Sequence, residues 1–431
     1  METAEETARL IFSTAVRAAD PAEAVRRECP GICSLYRAEG FRKLIAVGFG
    51  KAAVPMALAL EEELGDILET GVIITKYGHV SPRMPEQFRI FEAGHPVPDE
   101  NGMHGTEEII RLAASADEKT LVITLVSGGG SALLVAPETG ISLTAKQKAT
   151  KLLLRSGADI HAVNTVRKHL SRVKGGRLAG SIYPGRTLSL ILSDVVGDSL
   201  DVIASGPTAP DPTTFRDALT VLERFHLTDR VSPEVAKHLA AGARGDVSET
   251  PKEGNDAFLR VENRIIGSNR TALEAAYRVA TESGLVAEIQ PTPVTGEAVA
   301  AGRILARQAL ARRESRDGKP LCLLSGGETT VTVRGGGKGG RNQELALSFA
   351  METAGTSGIT LLSAGTDGGD GPTDAAGALV DGNTISTATE EQAHRALAEN
   401  DSYTFFKEYG GLFITGPTGT NVMDIQIILI R

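Results

Sequence analysis

Leu44-Ile-Ala-Val-Gly-Phe-Gly-Lys-Ala-Ala53 reads as a strand, a glycine turn and the start of a helix, and this reading decides the fold class. Leu44 to Val47 is an unbroken apolar run, the pattern of a strand buried on both faces. Gly48 and Gly50 supply the turn, and a helix follows from Val54 to Glu63. The grammar repeats. Gly71-Val-Ile-Ile-Thr75 and Phe88-Arg-Ile-Phe91 read as strands, Asn101 to Ser115 as a helix, and Leu121 to Val126 and Leu188 to Leu192 as strands again. Such alternation predicts a mostly parallel sheet wrapped by helices.

Upstream, the segment to about Ala38 carries Leu10, Ile11, Ala15 and Ala18 at helical spacing. Asp159 to Ala179 reads as another helix. The run Gly242 to Asp256 has no periodicity and is rich in turn formers, so it reads as an exposed loop at a domain boundary. Beyond it the alternation resumes, with strands near Val261 to Ile266, Val286 to Gln290, Leu321 to Leu324, Thr360 to Ser363 and Ile425 to Ile430. Helices are expected over Arg270 to Ser283 and Gly296 to Arg313. The expected architecture is α/β in two domains: an N-terminal Rossmann-like domain over residues 1–241 and a smaller C-terminal α/β domain over 257–431, joined by 242–256.

Composition narrows the function. At 431 residues the chain exceeds one usual core. It is 41% hydrophobic and 23% charged, ordinary for a soluble globular protein. The 48 glycines fit many strand-to-helix turns, and the absence of tryptophan argues against an aromatic-lined sugar or base-stacking groove. A net charge of −9 leaves no basic footprint for nucleic acid. No apolar run reaches the ~20 residues of a membrane helix, and Met1 to Leu10 has no signal-peptide core. Cys29, Cys33 and Cys322 are an odd set that fits reduced thiols. A cytoplasmic protein with a small-molecule substrate is expected.

Chemistry concentrates in loops after strands, where open α/β sheets bind ligands. Gly48-Phe-Gly-Lys-Ala-Ala53 satisfies the G-x-G-x-x-A dinucleotide turn, but the following strand ends at Thr75-Lys76 rather than at an acid for a ribose. Lys76 would suit a 2′-phosphate, which keeps an NADP enzyme as an alternative. Walker A is absent, because Ile45 stands at its first glycine and Ala52 where Ser or Thr would hold magnesium. Lys51, beside amide donors at a helix start, is placed to neutralise a transferring phosphoryl group. Ser127-Gly128-Gly129-Gly130-Ser131 lets the backbone approach a ligand closely.

Downstream, Ser325-Gly326-Gly327-Glu328 reads as a strand end leading to a glycine-crowded turn with Lys338 and Arg341, then a helix. Amides and cations together make a site for phosphate or carboxylate. Asn164, Arg167, Ser171 and Lys174 share one helical face, with Arg167 a candidate clamp for an anion. Asp194, Asp198 and Asp367 lie in glycine-rich loops after strands and are candidate magnesium ligands. His95 sits in a loop where it would contact substrate. No G-x-S-x-G nucleophile elbow and no zinc-type histidine pair is present.

Together these loops resemble the type II glycerate kinases (glycerate 2-kinases). The matches are Gly48-Phe-Gly-Lys-Ala-Ala53, Ala93-Gly-His-Pro-Val-Pro-Asp99, Ser127-Gly-Gly-Gly-Ser-Ala-Leu133, Asn164-Thr-Val-Arg-Lys-His-Leu-Ser171 and Lys174-Gly-Gly-Arg-Leu-Ala179. They continue through Ser193-Asp-Val-Val-Gly-Asp198, Ala204-Ser-Gly-Pro-Thr208, Ser325-Gly-Gly-Glu-Thr-Thr330, Gly339-Gly-Arg-Asn-Gln-Glu344, Gly365-Thr-Asp367 and Thr415-Gly-Pro-Thr-Gly-Thr-Asn-Val422. The resemblance covers nearly the whole chain. It implies a C-terminal MOFRL-type domain, an active site in the interdomain cleft, and ATP- and magnesium-dependent phosphorylation of D-glycerate, normally to 2-phosphoglycerate. It implies Lys51 and Arg341 as catalytic. Ser127 to Ser131, Ser325 to Gly327 and Asn342 are then the expected ATP contacts, and Asn164, Arg167 and His95 the expected substrate contacts. The alternatives are an NADP-dependent hydroxypyruvate reductase, a name that similar proteins have carried, and a non-catalytic nucleotide or sugar-acid binding protein.

Overall fold

In the computed structural model, which describes residues 3–80, 83–315 and 318–431, α1 (Ala4–Ala18) opens with a capping box. The Glu6 N–H donates to the Thr3 hydroxyl at 3.1 Å while the Thr3 N–H donates to Glu6 Oε2 at 2.8 Å, satisfying two amides that a helix start leaves unbonded. α2 (Pro21–Ala38) follows, so the single N-terminal helix expected from the sequence is two.

The chain then lays down β1 (Lys43–Phe49), α3 (Ala53–Leu64), β2 (Leu68–Lys76), β3 (Phe88–Ala93), α4 (Glu100–Ala113), β4 (Thr120–Val126) and the single turn α5 (Gly130–Leu133). After α6 (Leu143–Arg155), α7 (Ile160–His169) and α8 (Arg177–Ile182) come β5 (Arg186–Leu192), α9 (Phe215–Arg224), α10 (Pro233–Arg244) and β6 (Val261–Gly267). The strand order is β3-β2-β1-β4-β5-β6. β1 pairs in parallel with both β2 and β4, β2 with β3, and β4 with β5. The doubly wound sheet predicted by the apolar runs is present. β1 and β4 are neighbours from which the chain winds in opposite directions. The loops after them therefore meet at a topological switch point, where such sheets bind ligands.

Two cores support this unit. Ile45, Val47, Ile74 and Val122 pack on the sheet with Leu133 and Ile182. A second cluster, with Leu153, Val163, Phe215, Leu222 and Leu239, ties α6, α7, α9 and α10 together. α7 ends at His169, short of the expected Ala179, so Ser171 and Lys174 do not continue the helical face of Asn164 and Arg167.

The rest of the chain forms α11 (Asn269–Glu282), β7 (Val286–Ile289), β8 (Val294–Glu297), α12 (Ala298–Ser315), β9 (Leu321–Thr330) and α13 (Arg341–Glu352). It closes with β10 (Ile359–Gly365), β11 (Gly377–Asp381), α14 (Glu390–Ala398), α15 (Ser402–Tyr409), β12 (Leu412–Phe413) and β13 (Asp424–Ile430). The sheet runs β12-β11-β10-β13-β9-β7, with β8 also on β9. It is mixed: β13 is antiparallel to β10 and β9, while β7 and β8 run parallel to β9.

The compact units are Pro21–Ile266, and Met1–Asp20 with Gly267–Arg431. This differs from a division at 242–256. α1 joins the second, smaller unit: the Phe12 and Phe413 rings meet edge-on at 5.1 Å, and Arg431 donates to the Thr7 hydroxyl at 2.8 Å. Within 242–256, Thr250 is buried and donates to Asp211 Oδ2 at 2.9 Å, and Glu249 accepts from the Phe215 N–H at 3.0 Å. Those bonds hold the stretch on the larger unit. Among the described residues no helix is long and apolar enough to cross a membrane.

Candidate active site

In the larger unit the site grows from Gly50. Its φ is +137°, and a Cβ there would lie 2.1 Å from the Ser127 hydroxyl. Only glycine fits between the β1 and β4 loops. The Lys51 N–H donates to the Gly128 carbonyl at 2.9 Å and the Ala52 N–H to Ser127 Oγ at 3.1 Å. The amides at the α3 start are thus occupied by the neighbouring loop, leaving the turn without the open donors that a pyrophosphate needs in the dinucleotide reading. Gly128 and Gly129 differ: among the described residues no backbone acceptor takes their N–H groups. Gly129 is partly exposed and Gly128 buried, so an anion would reach these amides from the Gly129 side.

Gly129 stands between His95 and Lys51, since a Cβ there would be 3.0 Å from His95 Cδ2 and 3.4 Å from Lys51 Cγ. The His95 imidazole is pushed down to about 4 by burial and by the charges of Lys51 and Lys76, so it is neutral at pH 7. It can accept or donate a hydrogen bond without adding charge. The loop carrying it is fixed by Asp99, which accepts from the Gly94 and Gly102 N–H groups, both at 2.9 Å. Ser131 hydrogen-bonds Ser205 at 3.0 Å, and Ser205 donates to Asn164 Oδ1 at 3.0 Å. Asn164 Nδ2 is buried and, among the described residues, has no hydrogen-bond partner.

His95, Gly129, Ser131 and Arg167 line a cavity of about 750 Å³ in this unit. Lys146 lines it as well, a residue the sequence reading missed because α6 also carries Lys148 and Lys151, which makes it look like a solvated helix. Asp194 lies just past β5. Burial pushes its carboxyl up and the Lys51 charge opposes that shift, which places the two groups within electrostatic reach. Asp198 occupies a left-handed turn position at φ 54°. Asp194 is a single carboxylate beside the Lys51 charge. Among the described residues no group of three or more His, Cys, Asp or Glu side chains converges on a metal position. Sparse protein ligation suits magnesium when substrate phosphates and water fill its shell.

In the second unit, Arg341 begins α13. Its Nε donates to Asp424 Oδ2 at 2.6 Å and its Nη2 to Asp424 Oδ1 at 2.8 Å, while Nη1 lies 2.7 Å from Glu328. Burial disfavours its charge, but the hydrogen bonds and charges of Asp424 and Glu328 outweigh burial and raise its pKa. The helix start read as an anion site is one, and the anion is the chain's own. Asp370 accepts from the Asn342 N–H at 3.0 Å and the Gln343 N–H at 2.9 Å. Its carboxyl is pushed up to about 6, chiefly by burial, against those amide bonds. Asn342 is buried and accepts from Ser363 Oγ at 2.7 Å, so it serves the packing of α13. Asp367 is exposed and accepts from the Gly369 N–H at 3.0 Å, an Asx turn.

Ser325, Gly326 and Gly327 are a correction. They lie inside β9, paired with Gln426, Ile425 and Asp424 of β13, and do not form a turn after a strand end. A Cβ at Gly326 would lie 1.9 Å from Asn269 Oδ1, so the glycine allows close packing. Lys338 lies over the Tyr403 ring at 4.3 Å.

The family model for a domain of unknown function, DUF4147, matches residues 7–240, and that of the MOFRL family matches 321–424. A Thermotoga maritima protein named D-glycerate 2-kinase is 45% identical over 433 residues, covering 100% of this chain and 99% of its own. This chain belongs to the glycerate 2-kinase family. The crystal structure of a glycerate kinase from Thermotoga maritima superposes with a TM-score of 0.89 at 44% identity, covering 99% of both chains. An Agrobacterium vitis relative, 42% identical over 99% of this chain and 95% of its own, is named a putative hydroxypyruvate reductase. Membership of the glycerate 2-kinase family accounts for both the parallel sheet of the larger unit and the MOFRL segment of the second.

Proposed function

We propose that this protein transfers the γ-phosphoryl group of ATP to the C2 hydroxyl of D-glycerate, giving 2-phosphoglycerate and ADP. The observation that carries the reading is full-length similarity to a protein named D-glycerate 2-kinase, together with Lys51 held at a switch-point loop beside open glycine amides. Phosphoryl transfer needs positioning and charge neutralisation more than covalent chemistry. Lys51 supplies one positive charge, and Arg341, held by Asp424 and Glu328, the other. The amides of Gly128 and Gly129 hold phosphate oxygens, and Ser127 sets their loop. His95, Asn164 and Arg167 face the acceptor. Magnesium, held by Asp194 with Asp198 and Asp367 as further candidates, would neutralise phosphate charge. The reductase reading loses its main support where the α3 amides are already bonded to the β4 loop.

Phosphorus NMR of the protein with ATP, magnesium and D-glycerate tests this. A glycerate-dependent phosphomonoester resonance coupled to one proton is expected. Coupling to two protons would move the product to 3-phosphoglycerate. Intact ATP together with NADPH oxidation by hydroxypyruvate would replace the kinase with the reductase.

A further inference from the structure

Among the described residues of the larger unit, Lys146, Lys174 and the half-buried Arg167 have no carboxylate partner of the kind that holds Lys168. Lys146 is 4% exposed and its ammonium donates to the Leu170 carbonyl at 2.8 Å. Lys174 is 0% exposed and donates to the Ala204 carbonyl at 3.3 Å. Arg167 has its pKa lowered to about 10 by burial, with no carboxylate acting on it. Burial first, and then mutual repulsion among these groups, push both lysines far down. The carboxylate that acts on Lys146, Glu138, is paired with Arg177 at 2.7 Å.

Lys168 provides the contrast. It is as deeply buried as Lys174, yet lies between Asp201 at 3.1 Å and Asp211 at 3.3 Å. His169 beside it has Glu249 at 2.8 Å. Where this fold buries a cation for structural reasons, it supplies a carboxylate. Burial without a carboxylate disfavours the charge on such a group, and an outside anion entering beside it would restore that charge.

We infer that Lys146 and Arg167, with Lys174 behind them, form the seat for the carboxylate of the acceptor, and that Lys146 selects acceptors bearing that group. The inference rests on the reading of this chain as a glycerate kinase. Three features favour a small carboxylate over a polyphosphate. The cavity wall beside the cations is apolar, formed by Val135 and Leu143, and a single charge sheds its water there at lower cost than a triphosphate. Neutral His95 and the Ser131 hydroxyl, on the wall that also carries Thr144, Gln147, Thr150 and the further cations Lys148 and Lys151, suit hydroxyl groups on the same small molecule. Phosphate has its own donors at the edge of this cavity, where Gly129 stands against Lys51.

The test uses the full chain. Calorimetric titration with D-glycerate, D-lactate, glycerol and ATP is compared for wild type, K146M and the milder K146Q, each first checked for native circular dichroism. Wild type is expected to bind both carboxylates and not glycerol. K146M or K146Q should weaken D-glycerate binding and raise its KM by about 10- to 100-fold, the worth of one charge-assisted hydrogen bond. ATP affinity should hold within about twofold, and the preference for D-glycerate over glycerol should narrow. Weakened ATP binding with unchanged D-glycerate binding would overturn the inference and give the cations to the triphosphate. Unchanged binding of both, or no carboxylate binding by wild type, would also overturn it. If wild type binds D-glycerate through Lys146 but phosphorylates nothing, the seat stands and the kinase reading fails.

Discussion

Lys51 and Arg341 share a charge but not a setting, and their removal should separate chemistry from stability. Lys51 is half-buried on a loop, so K51A is expected to lower kcat by about 10²- to 10³-fold and to change folding stability by no more than ~0.5 kcal/mol. Turnover near wild type would remove Lys51 from the mechanism. R341A should lower kcat too, but it also strips two hydrogen bonds from Asp424, which is 1% exposed. An orphaned buried carboxylate costs about 1–3 kcal/mol, so the urea midpoint of R341A should fall while that of K51A holds. The sequence marks both cations, but Asp424 lies 83 residues from Arg341, and no local spacing announces the pair. Asp370 is a second case. Its carboxyl titrates near 6 in the fold against 3.8 in an unfolded chain. Between those values the native state holds a proton that the unfolded state lacks, so this group's contribution to stability is full below about pH 4 and is lost as pH rises through 6. The excess in melting temperature of wild type over D370N should therefore be larger at pH 4.5 than at pH 7.5, and calorimetry at the two pH values checks it.

Elements were legible where burial wrote a pattern. β1, β2 and β4 are covered on both faces, and their unbroken apolar runs could be read directly. β8 and β12 could not. Val294–Glu297 and Leu412–Phe413 are four and two residues long, and they are strands because β9 and β11 offer them partners. β9 misled for the opposite reason: Ser325-Gly-Gly looks like a strand end, yet pairing with β13 carries the strand through Gly327 and pairing with β8 extends it to Thr330. The β1–α3 turn was legible in both glycines and lysine, while its packing on Ser127 was not. That packing makes a prediction at the same scale. Gly50→Ala meets Ser127 at 2.1 Å in a backbone conformation with φ +137°, and should cost the strain of about 1–3 kcal/mol together with the displacement of the Ser127 loop. Gly78→Ala, with φ +75° and no atom within 4 Å, pays the backbone strain alone. Chemical denaturation should place G50A well below G78A, with phosphoryl transfer lost only in G50A.

The whole molecule is discontinuous in a way that length and composition do not reveal. The chain begins in the second unit with α1, builds all of the larger unit, and returns at Gly267. The reason lies in the apolar face of α1. Ala8, Ile11, Phe12 and Ala15 are buried, Arg9 lies 5.0 Å over the Phe413 ring, and the Thr420 hydroxyl donates to the Ala19 carbonyl at 2.6 Å. Helical periodicity identified that face but not its partner, because α11 and β12 lie hundreds of residues downstream. A phenylalanine truncated in such a core costs about 3–5 kcal/mol, so F12A should lower the stability of the second unit by that amount. A stronger test is to rewire the chain. A fragment of residues 267–431 lacks α1 and should bind a hydrophobic dye and melt without cooperativity. The same fragment extended by a flexible linker and residues 3–20 restores the missing face, and should melt in one sharp transition without dye binding. Equal melting of the two fragments would mean that α1 is dispensable to this core.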